Sequence, residues 1–277
     1  MRSRIRETFE RLGAERRAGL VTYVTAGDPD LERSARVLGA LDGAGADILE
    51  IGVPFSDPLA DGPVIQRASE RALASGTTLA ATLEMVARER AAIRAPIVLF
   101  TYANPVVRVG LDRFAARASE AGVDGVLVLD LPVEEAGGLR AALEGVGLDT
   151  IFLLSPTTTP ARIREAGRLG RGFLYAISRL GVTGARASLA DGARDLVARI
   201  KRETALPVAV GFGLSTPEHV ADVAQWADAA VVGSALVDVI GRWGQSDALV
   251  EHVEAFVRAL RRGCAPRPLG GEQDGPR

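Results

Sequence analysis

Several residue types are nearly missing from this chain, and each absence removes a class of chemistry. There is one cysteine, Cys264, so no intrachain disulfide can form, which suits a reducing compartment. Lys201 is the only lysine, so nearly all basic residues are arginine. Histidine occurs twice, at His219 and His252. A mechanism that needs a lysine Schiff base or a cluster of histidine metal ligands has almost no material. Long apolar runs are also missing. The first twenty residues, MRSRIRETFERLGAERRAGL, have no stretch that reads as a signal peptide, and nothing approaches a membrane span. The formal net charge of -2 argues against a nucleic-acid surface. These features predict a soluble cytoplasmic protein.

What is present is a regular alternation. With 277 residues, 47% of them hydrophobic, the chain can bury a large core. Ile5, Phe9 and Leu12 mark an amphipathic helix over 2–17. Apolar strands follow at 20–24, 48–51, 97–101, 126–129, 150–154, 173–177, 207–210 and 229–232. Helical stretches separate them, including 64–75, 78–92, 111–121, 133–144, 160–169, 192–204 and 216–225. A short helical piece opens at Gly233-Ser234, and Leu249, Val253, Phe256 and Leu260 mark a last helix. The strands are continuous apolar runs, as expected of parallel strands buried on both faces. Ala-Gly-Ala-Asp at 44–47, Ala-Gly-Val-Asp at 121–124 and Trp-Ala-Asp at 226–228 each precede a strand, like one repeated unit. Eight such units predict a single α/β domain, a (β/α)₈ TIM barrel over 1–262 with the extra N-terminal helix across its bottom. The Gly- and Pro-rich tail 263–277 is predicted to be disordered. A doubly wound sheet is the alternative; it would want a Gly-rich phosphate loop after the first strand, and TAGDPD is not one.

The chain is organised around ADILEIGVPFSDPLADGPVIQ, 46–66. A short apolar strand ends on Glu50, and a loop stiffened by Pro54, Pro58 and Pro63 carries Asp57 and Asp61. Active sites of such barrels lie where strands end, so Glu50 and Asp61 suit proton transfer. Plainer readings stand beside this one. Glu50 also fits a solvated strand-end acid, and Asp61 an N-cap before Val64.

A second constellation points to phosphate. Gly181 and Gly184 follow strand six, Gly211-Phe212-Gly213 follow strand seven, and Gly233-Ser234 open a helix after strand eight. Glycines let backbone N–H groups approach an anion, and a helix N-terminus adds its dipole. Arg179 is a further cation nearby. Lys201 falls late in a helix, away from any strand's end, and the two histidines fall in helices with a surface character. Cofactor-free acid/base chemistry on a small phosphorylated substrate remains.

With these residues in view, LEIGVPFSDPLADGP at 49–63, YVTAGDPD at 23–30, TYANP at 101–105 and SRLGVTGAR at 178–186 resemble the tryptophan synthase alpha subunit family over about residues 5–262. The resemblance implies cleavage of indole-3-glycerol phosphate into indole and glyceraldehyde 3-phosphate, a carbon–carbon lyase reaction of tryptophan biosynthesis. It implies that Glu50 and Asp61 are catalytic, and that Tyr23, Phe100, Tyr102, Leu127, Leu129, Tyr175 and Thr183 line the substrate site. Gly184, Gly211, Phe212, Gly213, Gly233 and Ser234 fall on phosphate-binding positions. It implies no cofactor or metal in this chain. The partner would be a beta subunit that carries pyridoxal phosphate and receives indole in an alpha2-beta2 complex, facing Pro54, the loop that holds Asp57-Pro58 and the loop that holds Asn104-Pro105. Thr22, Phe100 and Leu129 depart from the family's pattern at strand ends expected near the indole pocket. Gly181 and Gly184 give the loop 178–190 hinge freedom, with Thr183 expected near Asp61 on closure. A free-standing lyase is the alternative; intact Glu50 and Asp61 argue against a catalytically silent binding partner.

Overall fold

The computed structural model describes residues 3–177, 186–211 and 213–266, the side chains of 186–191 excepted. Eight parallel strands close into a barrel in chain order: β1 (Gly19–Thr25), β2 (Ile48–Gly52), β3 (Ile97–Thr101), β4 (Gly125–Val128), β5 (Asp149–Leu154), β6 (Leu174–Ile177), β7 (Val208–Gly211) and β8 (Ala229–Val232). The barrel shuts where β8 pairs with β1, Ala229 beside Gly19 and Val232 beside Thr22. The described helices are α1 (Arg4–Ala14), α2 (Leu31–Gly43), α3 (Pro63–Ala74), α4 (Leu79–Glu89), α5 (Ala103–Val109), α6 (Leu111–Glu120), α7 (Gly137–Gly145), α8 (Pro160–Leu169), α9 (Arg186–Glu203), α10 (Pro217–Val223), α11 (Ser234–Trp243) and α12 (Leu249–Arg261). The predicted TIM barrel is therefore the fold.

Successive side chains on a strand point to opposite faces, and the core divides accordingly. Leu20, Val24, Leu49, Ile51, Leu99, Val126 and Leu174 face out into the layer between strands and helices. Val21, Ile48, Val98, Leu127, Ile151, Phe173, Ala209 and Ala229 face in. Ile5, Phe9 and Leu12 of α1 join this inner cluster and close the barrel's lower end. Each buried side chain of this size stabilises the fold by roughly 1.5–3 kcal/mol. Ser3 caps α1, accepting from the Arg6 amide at 3.1 Å, and its hydroxyl also donates to Asp149. The upper level of the barrel is thereby left open for function.

The structure corrects four expectations. Asn104-Pro105 does not form a loop but lies in the first turn of α5. Amides there have no partner inside the helix, so proline is tolerated. Thr22 lies between Leu20 and Val24, on the outer face of β1, and so points away from the barrel interior. The order expected to end at 262 continues, because Arg262–Cys264 form a 3₁₀ turn with Gly263 and Cys264 buried. Gly263 packs so tightly on α10 that an added Cβ would lie 2.3 Å from the Pro217 carbonyl. The helix expected from 133 starts at Gly137, after turns. The rest of the tail, 267–277, lies outside the described residues.

Candidate active site

Strand parity turns Glu50 inward, since Leu49 and Ile51 on either side belong to the outer layer. The residue is 1% exposed, and neither carboxylate oxygen has a hydrogen-bond partner. Burial first, and then the nearby Asp61 charge, push its pKa up to about 8. A solvated strand-end acid would do none of this.

Asp61 is brought over the barrel mouth by its loop. Its amide donates to the Pro58 carbonyl at 3.0 Å, and Gln66 Nε2 donates to the Asp61 and Pro58 carbonyls at 3.0 and 3.3 Å. The N-cap of α3 is Gly62, with Pro63 opening the helix, so the N-cap reading of Asp61 does not hold. Its carboxylate instead accepts from the Tyr102 hydroxyl at 3.0 Å. Burial raises the Asp61 pKa to about 6, while the Tyr102 bond works against that rise. Tyr102 is held in turn by the Ala60 amide, which donates to its hydroxyl at 3.2 Å, and by Phe55, whose ring centroid is 5.0 Å away. Phe55 went unnoticed in the sequence.

Around the acids the inner wall is apolar and aromatic. Tyr23 neighbours Glu50 on the paired strand and meets Phe100 edge to face, centroids 5.4 Å apart. Leu127 and Tyr175 belong to the inner cluster, with Phe100 and Leu129 packed against it. Leu153 and Ile177 pack there too and were missed; the two-residue step from Ile151 and Tyr175 is the signal that finds them. Two glycines make room for phenols. A Cβ on Gly52 would lie 2.2 Å from the Tyr23 hydroxyl, and one on Gly211 would lie 2.3 Å from the Tyr175 hydroxyl. Burial raises both tyrosines well above the ordinary phenol range, so both stay neutral.

The expected phosphate residues sit at the same end. Gly211 is the last residue of β7, and Gly213 takes a left-handed φ of 48° just beyond it. Just past adjacent β8, Gly233 is the N-cap of α11 without any side-chain cap bond, and Ser234 is the first helical residue. The helix presents first-turn N–H groups that have no intrahelical acceptor. This is the short helix expected after strand eight, and it runs for ten residues. Thr183, Gly184 and Phe212 lie outside the described residues, as does the part 178–185 of the expected loop 178–190; its remainder, 186–190, is not loop but the first turns of α9. Of the positions expected to face a partner, Pro54, Asp57 and Pro58 lie in the β2–α3 loop and Asn104 and Pro105 in α5. Among the described residues, no three His, Cys, Asp or Glu side chains converge to hold a metal ion.

Residues 9–264 match the family model described as tryptophan synthase alpha chain. A protein of that name from Solibacter usitatus is 49% identical over 265 residues, covering 96% of this chain and 99% of the relative. Another from Geobacter sulfurreducens is 52% identical, covering 94% and 98%. The solved tryptophan synthase subunit alpha of Legionella pneumophila superposes with a TM-score of 0.88 at 38% identity, covering 95% of this chain and 99% of that one. A Mycobacterium tuberculosis tryptophan synthase structure gives 0.88 at 39%, covering 98% and 100%.

Proposed function

The chain belongs to the tryptophan synthase alpha family, and from that premise we propose how its residues divide the alpha reaction. The substrate is indole-3-glycerol phosphate. Protonated Glu50 gives its proton to indole C3. That breaks the ring's aromaticity and places positive charge on the ring nitrogen, where ionised Asp61 stabilises it. Glu50, now a carboxylate, takes the proton of the glycerol hydroxyl next to the bond. The hydroxyl oxygen becomes the aldehyde oxygen, the C–C bond breaks, and its electron pair returns to the ring. Indole and glyceraldehyde 3-phosphate leave, and Glu50 is again protonated. Each proton transfer is worth roughly 10²–10⁴-fold.

One observation carries this assignment. Glu50 is a buried acid without a hydrogen-bond partner whose pKa lies near 8, beside an acid whose pKa lies near 6. Two groups pushed apart in this way can hold opposite protonation states at the same pH. Between about pH 6 and about pH 8 the pair is set as the reaction needs it, one acid protonated and the other ionised. The phosphate would rest on Gly213, Gly233 and Ser234 through backbone N–H groups, so the scarcity of lysine is no handicap.

The partner in this reading is a beta subunit that carries pyridoxal phosphate and accepts the indole, in an alpha2-beta2 assembly in the cytoplasm. Two of the most exposed large apolar side chains, Leu59 at 92% and Val107 at 66%, support a partner-facing surface, since they adjoin Asp57-Pro58 and Asn104-Pro105. No helix among the described residues is long and apolar enough to cross a membrane.

The test is indole release by the purified chain from indole-3-glycerol phosphate, with and without a beta subunit. Release that rises when the beta subunit is added is the expected result. Equal release in both arms would favour a free-standing lyase, and no release in either would overturn the assignment.

A further inference from the structure

At the end of the barrel opposite the acids, α1, the turn from α2 into β2, the segment before β3 and the end of α12 border a cavity of about 470 Å³. Four arginines line it, Arg11, Arg17, Arg94 and Arg261, against two acids, Asp42 and Asp47.

The acids are already satisfied. Asp47 accepts from both terminal nitrogens of Arg17 at 2.8 Å and from the Leu20 amide at 2.9 Å. Asp42 accepts from the Arg94 and Ala95 amides at 3.1 and 2.8 Å. The cations are served less well. Arg11 reaches Asp47 and Glu15 only at 3.4 Å each. The Arg94 side chain is 88% exposed, and its guanidinium is 3.7 Å from Asp42. Arg261 lies along Gly45, hydrogen-bonds Cys264 and is near enough to Asp47 to help lower its pKa, but forms no ion pair among the described residues. Glu15, at the rim against Arg11 and Arg17, offsets only part of the surplus positive charge. A chain of net charge -2 thus concentrates unspent guanidinium donors around one concavity.

We propose that this cavity is a second anion site, separate from the phosphate grip at the barrel's upper end, and that it takes a phosphate-type dianion. Arg11, Arg94 and Arg261 would hold it, and the Arg17–Asp47 pair is the fixed floor. Guanidinium forks match phosphate oxygens two at a time, and their donors gain strength where water is partly excluded. The volume exceeds what a bare ion needs and has room for a small ester attached to the phosphate. Phosphate could come from free orthophosphate or from a phosphate monoester.

The experiment is a pair of amide NMR titrations of the full chain, one with orthophosphate and one with glycerol 3-phosphate, each against sodium chloride of equal ionic strength. The amides of Gly45, Asp47 and Ala95 report on the lower cavity, and those of Gly213 and Ser234 on the upper end, so the two sites are read separately. The expected result is saturable shifts at the lower amides. Tighter saturation by glycerol 3-phosphate assigns the ester as ligand, and equal saturation assigns orthophosphate. Arg261→Gln should weaken the lower site by about tenfold, the loss of one charge-assisted contact, with the upper shifts and kcat/KM unchanged. Arg94→Gln, at an exposed position where folding is safe, should do the same. Shifts that grow linearly, that chloride reproduces, or that both variants leave unchanged would overturn the proposal.

Discussion

Asp47 sits just before β2 and Glu50 in the middle of that strand, three residues on; both are nearly shut off from water, and they behave in opposite ways. Asp47 accepts three short hydrogen bonds, two of them from Arg17, and although burial is the largest influence its pKa ends below the ordinary carboxylate value. Glu50 has no hydrogen-bond partner, and its pKa rises to about 8. Burial alone favours the neutral acid; a guanidinium fork and an amide reverse the outcome. A carboxylate that holds the lower end together is therefore built with partners. One that carries a proton, as proposed for Glu50, is built without them, and the unpaired oxygens are a stability cost of the kind a working site tolerates.

The largest effect should come from Glu50→Gln. The amide keeps the shape but cannot move a proton, so kcat should fall by roughly 10²–10⁴-fold, as measured by indole release. Stability should move the other way. The folded chain keeps on Glu50 a proton that the unfolded chain gives up above its ordinary 4.5. Native stability therefore declines as pH rises from about 4.5 to about 8, and the glutamine has no such decline. The variant's thermal midpoint should gain on the parent's across that window. A variant that loses activity and is equally less stable at every pH would erase the contrast with Asp47.

Asp47→Asn should do the reverse, sparing turnover and costing stability. Arg17, with a side chain only 7% exposed, would keep only Glu15 as a carboxylate partner, so the loss should lie toward the lower end of the roughly 3–5 kcal/mol that breaking a buried pair costs. For a domain of this size the thermal midpoint should drop by about 10 °C. Because the folded pKa is depressed, the lost stability is fully present above the ordinary 3.8 and fades as pH falls through the folded value. The gap between parent and variant should close in acid. A gap that stayed constant with pH would show that Asp47 acts through packing rather than charge.

This contrast was only half legible in the sequence. Glu50 interrupts the apolar run ILEIG, and a carboxylate inside a strand asks for an explanation. Asp47 looks equally plausible on paper, but its partner Arg17 is thirty residues away and nothing local announces it. The barrel was legible because parallel strands buried on both sides are unbroken apolar runs. The same property hid which face each residue takes. Thr22 was expected at the pocket and points outward, whereas Leu153 and Ile177 went unnoticed and point inward. Helix α5 was obscured by Asn-Pro, which signals a turn as readily as a first helical turn.

A smaller change tests whether the upper wall is shaped for the acid as the lower end is shaped for Asp47. Gly211→Ala would place a methyl 2.3 Å from the Tyr175 hydroxyl, so the phenol must move. Overpacking of this kind costs about 1–3 kcal/mol. If Tyr175 contacts substrate, KM should rise more than kcat falls. Removing the phenol's hydroxyl as well, in Gly211→Ala with Tyr175→Phe, should recover part of the stability, because two ring carbons would still lie 2.7 and 2.8 Å from the added methyl. No recovery in the double variant would place the strain elsewhere in β7.

The smallest expected effect is in Tyr102→Phe, and it bears directly on how far apart the two upper pKa values are held. Burial raises the Asp61 pKa to about 6, and the Tyr102 hydroxyl, donating at 3.0 Å, limits that rise by stabilising the carboxylate. Phenylalanine keeps the ring, its contact with Phe55 and most of the packing. It removes the donor to Asp61 and leaves the Ala60 amide without its acceptor. Asp61 should then ionise at higher pH, closer to Glu50. The pH profile of kcat/KM in the parent should be a bell with limbs near about 6 and about 8. In Tyr102→Phe the acid limb should move up and the basic limb stay, so the bell narrows, with kcat at its maximum reduced only several-fold, about one hydrogen bond's worth. A merely structural tyrosine would lower the whole profile without moving either limb, and that outcome would remove Tyr102 from any part in setting the Asp61 charge.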